Sequence, residues 1–209
     1  MAEAWEAAIV ASDLPVAFTD AARPRARVSF GAPLPLGIAA EAELIDLVLV
    51  ERLPAWQVRE ALISWLPDGW SLVDLYDVWP AGPPLAGRVV AADYRIVLEA
   101  DARREIVEDA ASALLGSAAL PRDRARGAET VRYDLRPLIV DLRVDPGPPV
   151  VVRTRTRFHP ELGTGRPEEV LAALVEAAGH PLNAEAIVRE RLILADDQDA
   201  PAPPAATHD

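Results

Sequence analysis

The chain contains no cysteine and no lysine. Lack of cysteine excludes disulfides, thiolate zinc sites and any iron–sulfur cluster held by this chain, and leaves the redox compartment unreadable. Lack of lysine makes all 21 basic residues arginine. With so much alanine and proline, this fits the bias of a GC-rich genome better than a functional choice. The three histidines are His159, His180 and His208. None stands at ligand spacing from another, so no histidine metal site is expected. No G-x-S-x-G occurs, so the serines give no nucleophile signal. No apolar run approaches the roughly 18 residues that cross a bilayer. The start, Met-Ala-Glu-Ala-Trp-Glu, lacks the basic and apolar regions of a signal peptide. A cytoplasmic protein without membrane contact is expected, and no cofactor is assigned.

What is present is a globular balance: 209 residues, 51% hydrophobic and 26% charged. Net charge is −12. A chain this acidic is no generic polyanion binder, and no DNA partner is expected. The charge is uneven, however. Arg23, Arg25 and Arg27 stand against Asp20, and Arg153, Arg155, Arg157 and Arg166 against Glu161. Such patches suit a small anion or an RNA backbone.

Periodicity organises the chain. Ala4 to Val10 reads as a helix ended by Asp13-Leu14-Pro15. Val16–Phe18 is a short extended piece, and Arg27–Phe30 is a strand limited by Pro33 and Pro35. Glu43–Val50 has apolar residues on both faces, the mark of a covered central strand. A helix follows from Pro54 to about Leu66, with Val58, Ala61, Leu62 and Trp65 as its buried stripe. Ser71–Trp79 reads as a strand. Residues 81–87, rich in Pro and Gly, are the expected linker between domains at 1–80 and 88–195.

The second half repeats the rhythm. Arg88–Leu98 is a strand with Asp93 and Arg95 facing outward. Asp101 is the expected N-cap of a helix to about Leu115. Pro121–Glu129 reads as a charged loop. Thr130–Tyr133 and Ile139–Val144 are strand pieces, and Asp145-Pro146-Gly147 turns the latter into a hairpin with Pro149–Phe158. A helix from Arg166 ends at Gly179, and Ala186–Leu194 is the last strand. Residues 196–209 read as a disordered acidic tail. The expected fold class is α+β, with two tandem ferredoxin-like (βαββαβ) domains, the first lacking its leading strand. Either the true start lies before Met1, or Val16–Phe18 or a partner chain supplies that strand.

Several residues could carry function. Arg153, Arg155 and Arg157 alternate with threonines, so their side chains share one strand face. That face could bind RNA, or could be a solvated surface with cross-strand ion pairs, for example to Asp141. No aromatic lies on it to stack a base. Gly163-Thr164-Gly165-Arg166-Pro167 has glycine-loop composition but no P-loop lysine, and reads as a plain loop and helix start. Trp56, Trp65, Trp70 and Trp79 read as core or interface anchors. Asp134, Arg136 and Pro137 suggest an ion-paired bend, or an arginine aimed at a substrate.

Pro24, Arg27, Ser29 and Phe30, then Leu34-Pro35-Leu36-Gly37, then Glu41, Glu43 and Asp46 form one ordered set of motifs. Asp134-Leu135-Arg136-Pro137 and Arg166-Pro167-Glu168-Glu169 form two more. Together they resemble the radical-SAM-linked family, a bacterial domain of unknown function found fused to, or encoded beside, radical SAM proteins. Ala21, Ala22, Arg23, Arg25 and Ala26 replace that family's glycine, phenylalanine, asparagine, histidine and second proline. Its leading Ser-His-Leu-Asp-like segment is absent. The resemblance implies an accessory or binding protein, not itself catalytic, whose partner is a radical SAM protein. The alternative is an RNA-binding or RNA-processing protein using its arginine-lined sheet. A third reading is an enzyme using Arg27, Ser29, Glu41 and Glu43. The candidate binding residues are Arg23, Arg25, Arg27, Ser29, Glu41, Glu43, Arg136, Arg153, Arg155, Arg157 and Arg166. No catalytic residue and no metal ligand is assigned.

Overall fold

The computed structural model describes residues 2–78, 82–127 and 129–197. In chain order the elements are α1 Ala2–Ala11, β1 Val28–Phe30, β2 Ala39–Ala40, β3 Ile45–Leu47, α2 Ala55–Ile63, α3 Leu85–Arg88, β4 Val89–Leu98, α4 Arg104–Gly116, β5 Pro121–Arg126, β6 Glu129–Asp134, β7 Ile139–Val144, β8 Val151–His159, β9 Gly163–Thr164, α5 Pro167–Ala178 and β10 Ala184–Leu194. Short 3-10 turns cover Arg136–Leu138 and Ala195–Asp197. The chain divides into two units, one of Met1–Leu36 with Ala42–Gly87, the other of Gly37–Glu41 with Arg88–Asp209.

In the first unit, α1 buries Trp5, Ala8 and Ile9. Asp13 ends it at φ 55°, a left-handed conformation that a short polar side chain tolerates. β1 and β3 pair antiparallel, with Ser29 opposite Asp46. Val16 bridges Leu49 and Phe18 bridges Ala26, so the Val16–Phe18 piece joins the backbone pairing. Ile9, Val16, Val58 and Leu62 form the small core.

Three expectations fail in this unit. Residues 71–78 form no strand. Leu72 and Leu75 are half-buried while Val73 and Tyr76 are exposed, a spacing of three where an extended ladder needs two. Trp79 lies outside the described residues. The Glu43–Val50 strand shrinks to its middle, and Val48 and Val50 are exposed, so it is no covered central strand. Trp65 is exposed rather than in the buried stripe of α2, because the helix ends at Ile63 and the helical period stops with it. Of the tandem expectation, the α+β class carries over.

The second unit carries the larger core. Its strands lie in the order β2-β10-β4-β8-β7, with β9 paired to the end of β8. β4, α4, β7, β8, α5 and β10 come in the order β-α-β-β-α-β, with the β5–β6 hairpin inserted between α4 and β7 and β9 between β8 and α5, and neighbouring strands among them are antiparallel. Period-two alternation gives the sheet two unlike faces. Ile96, Leu98, Val152 and Leu142 pack beneath Val107, Ala110 and Leu114 of α4 and Val170, Ala173 and Leu174 of α5. Gly179, at φ 61°, caps α5 with its N–H on the carbonyls of Val175 and Glu176, as its position predicts.

The differences here are local. Asp101 does not cap α4, which starts at Arg104 with no side-chain cap, because Glu99 to Ala102 close a separate turn first. The charged loop at Pro121–Glu129 is instead strand β5, paired with β6 and turned at Gly127 (φ 63°). Its alternate positions carry arginine rather than apolar residues, which hides the strand period. β2, two residues parallel to β10, has no sequence signal of its own. Of the acidic tail, Asp196 and Asp197 form part of a 3-10 turn, and 198–209 lie outside the described residues.

Gly165 sits where the loop after β9 crosses the sheet. A Cβ there would lie 2.8 Å from the Thr156 Cβ and 3.1 Å from the Leu138 Cβ and carbonyl oxygen. Gly165→Ala is therefore expected to cost about 1–3 kcal/mol through overpacking. Gly116→Ala meets nothing within 4 Å and serves as the neutral control. Urea unfolding of both variants checks this, and equal midpoints would refute the crossing as a packing constraint.

Candidate functional site

The face of the second sheet opposite α4 and α5 is built from the residues that alternate with the core. On β4 these are Asp93 and Arg95, on β8 Arg153 and Arg155, on β7 Asp141 and Arg143. β10 adds Glu190 and Arg191, where a bulge between Arg189 and Arg191 resets its alternation.

Charges on this face are interlocked. Asp93 stands opposite both Arg155 and Arg191 in register. Arg155 donates Nε to Asp93 Oδ1 at 2.6 Å and a second nitrogen to Oδ2 at 3.0 Å, and Arg191 donates Nε to Oδ2 at 2.7 Å. Arg153 donates to Asp145 at 2.6 Å and also to Glu190. Glu190 accepts from Arg95 at 3.1 Å, and Arg95 reaches Glu41 beside β2. Arg143 lies 3.7 Å from Asp141 and 4.0 Å from Asp145. Five arginines thus meet five carboxylates. A shallow cleft of about 190 Å³ runs between Asp93, Asp141, Arg153, Arg155 and Glu190.

Burial pushes the Asp93 carboxyl up, but hydrogen bonds and charge from Arg155 and Arg191 outweigh it and hold it below the usual carboxylate range. The same bond to Asp93 raises Arg155 above its ordinary value. Five guanidinium groups against five carboxylates make the paired set formally neutral. Its arginines are occupied by protein carboxylates, which lowers their availability to a phosphate.

The other sequence candidates are dispersed. Arg157 is exposed at the end of β8 and Arg166 is exposed just before α5. Arg136 donates to the carbonyls of Leu115, at 3.3 and 3.0 Å, and Ile139, at 3.2 Å. It tethers the end of α4 to the bend before β7. The expected Asp134–Arg136 ion pair is not what orders that bend. Asp134 instead accepts the backbone N–H groups of Leu120, at 2.7 Å, and Arg136, at 2.9 Å. In the first unit, Arg23, Arg27 and Ser29 are exposed, Arg25 pairs with Glu6 at 2.9 Å, and Glu43 is half-buried. Only Glu41, Arg153 and Arg155 of the candidates share the paired face. Asp141, proposed as the cross-strand partner of the arginines, sits opposite Arg155 in register but pairs with Arg143.

Sequence reasoning placed Asp93 and Arg95 outward but missed Asp145, Glu190 and Arg191 as their partners. The β10 bulge hides the last two. It also missed a second cluster. Arg124 on β5 donates to both oxygens of Glu169 at 2.9 and 2.6 Å and to the Thr164 carbonyl at 2.8 Å, and lies 4.4 Å above the Tyr133 ring. Burial and the neighbouring Glu169 push the Tyr133 phenol up to about 12. His159 accepts the backbone N–H groups of Glu161 and Leu162 on Nδ1. Among the described residues, no group of histidines and carboxylates is placed to hold a metal ion, and no helix is long and apolar enough to cross a membrane.

A family model described as an uncharacterized protein conserved in bacteria (DUF2344) matches residues 1–171. No curated protein matches the chain.

The Asp93 network carries a pH signature. A carboxyl held below its unfolded value of about 3.9 contributes stability above that pH, and loses it as pH falls through the folded value. Asp93→Asn is expected to cost about 1–3 kcal/mol at neutral pH, since two guanidinium groups lose their counter-ion. It should also flatten the loss of stability below about pH 4. Urea midpoints across pH check both, and an unchanged acid limb would refute the assignment.

Proposed function

The chain belongs to that family of uncharacterised bacterial proteins, and on this premise we propose that it is an accessory protein, not itself catalytic, that binds a radical SAM enzyme. The motifs at Pro24–Gly37, Asp134–Pro137 and Arg166–Leu171 support the choice of partner. With no cysteine in the chain, the cluster belongs to that partner. The reading includes a cytoplasmic location and a ferredoxin-like second unit, supported by the strand order β10-β4-β8-β7.

The observation that carries the binding reading is the outer face of α2. Trp56 is 62% exposed and Ile63, seven residues on and therefore on the same helix face, is 51% exposed. Trp65 follows at 53%. Tryptophan in water is poorly satisfied, and it is the residue most enriched among the anchors of protein interfaces. RNA is the weaker partner, because Arg153 and Arg155 would have to leave Asp145, Glu190 and Asp93 before meeting a phosphate.

Calorimetric titration against purified radical SAM proteins of the same organism tests the proposal. Saturable binding is expected, weakened at least tenfold by Trp56→Ala, a loss above about 1.4 kcal/mol. No binding, or binding indifferent to Trp56→Ala and Trp65→Ala alike, would sink it.

A further inference from the structure

The two edges of the second sheet are unlike. At one end β2 lies along β10; at the other, β7 has β8 on one side and, among the described residues, no strand on the other. The Asp145 N–H donates across to the Val151 carbonyl at 2.9 Å. Inward-bonded residues alternate with outward ones in an antiparallel ladder. The backbone groups of Leu142 and Val144 therefore point away from β8, into the free edge. Beside them a groove of about 300 Å³ runs between α4 and β7, lined in part by Ala111, Leu115, Leu142 and Val144.

We propose that β7 pairs antiparallel with β7 of a second copy about a two-fold axis at Leu142, forming a homodimer with one continuous sheet. The charge pattern of the strand picks both the occupant and the register. With the axis at Leu142, each Leu142 meets its own counterpart as a hydrogen-bonded pair, and each Val144 lies beside the other copy's bulged Val140. Asp141 of each copy then stands opposite Arg143 of the other. These are non-hydrogen-bonded pairs, whose Cα atoms approach to about 4.5 Å, the closest that side chains come across a ladder. Opposite charges there stabilise the pairing, and like charges oppose it. Moving the axis one residue to Asp141 or Arg143 would set a like-charged pair at that closest approach. Of the axes at Asp141, Leu142 and Arg143, the strand is complementary to itself at Leu142 alone, as an isologous interface requires.

Val140 is itself the bulged residue between Ile139 and Asp141, so the regular ladder is centred on Asp141–Arg143 and ends at Val144. Val140, 42% exposed, is the apolar residue the pairing covers. Charged edges ordinarily resist such pairing. Here the signs alternate about the centre of the strand, so they select a partner instead.

Sedimentation equilibrium and hydrogen exchange on the full chain test this. Dimer should form as concentration rises, and the Leu142 and Val144 amides should slow with it. Arg143→Asp should weaken the dimer at least about tenfold, because it turns both attractive pairs into repulsive ones. Asp141→Asn should weaken it by a few-fold. Arg132→Asp makes the same charge change on exposed β6 and should leave the dimer unchanged. A chain still monomeric at millimolar concentration overturns the proposal, and leaves an extended peptide from another protein as the occupant of the edge. So does a dimer whose constant ignores Arg143→Asp, or one that leaves the Leu142 amide as fast as in the monomer.

Discussion

Asp93 lies on β4, between β8 and β10, and stands directly opposite an arginine on each side. A carboxylate has two oxygens, and here Oδ1 takes Arg155 while Oδ2 takes both Arg155 and Arg191. The open face of the sheet depends on this bridge. The helices α4 and α5 of this unit pack on the opposite face, so on this one cross-strand charge pairs set the register. Arginine suits this better than lysine, since its planar fork can serve one carboxylate with two nitrogens and a neighbour with a third. Arg153 shows the same logic, shared between Asp145 and Glu190. An all-arginine composition that reads as genome bias thus supplies the side chain this lattice uses well.

The parts of this architecture that alternate cleanly were legible in the sequence. β4 and β8 each show period-two patterns, and their outward residues, Asp93, Arg95, Arg153 and Arg155, do face outward. The parts that were not legible break the period for physical reasons. Glu190 and Arg191 are offset by a bulge. β5 alternates arginine with small residues, so it has strand geometry without strand hydropathy. β2 has two residues and no period at all. In α2 the helical period of the sequence runs past the point where the helix stops, so Trp65 falls on the buried stripe by period but is exposed in the structure. As for the candidate site, the arginines could be named from sequence, but of the carboxylates that neutralise Arg153 and Arg155 only Asp145 is near in the chain, while Asp93 and Glu190 come from strands distant in it.

The signature segment from Arg23 to Gly37 has a different role from its composition. Its arginines stay exposed or pair locally, as Arg25 does with Glu6. Its closing Leu34-Pro35-Leu36-Gly37 ends where the chain passes from the first unit to the second. Gly37 adopts φ 81°, a conformation that costs a glycine little and other residues more. Two residues later the chain becomes β2 and lies along β10. Gly37 is therefore accounted for by chain direction, and Glu41, just after β2, by its pair with Arg95.

That short strand gives the sheet its asymmetry. A free edge offers unmade backbone hydrogen bonds to any extended chain, and proteins usually shield it. β10, the longest strand of the sheet, is shielded at Val188 and Arg189 by β2 and by the Glu41 N–H on the Arg189 carbonyl at 3.0 Å. β7 has no such cover among the described residues, and its one bulge lies at its start. Its charges do not shield it uniformly either, since one carboxylate and one guanidinium flank a central leucine. A strand of like charges would repel a copy of itself in every register. This one repels its copy when the axis falls on Asp141 or Arg143 and attracts it when the axis falls on Leu142. About its centre the edge is thus closed to two pairings and open to one, and that selectivity follows from the order Asp-Leu-Arg.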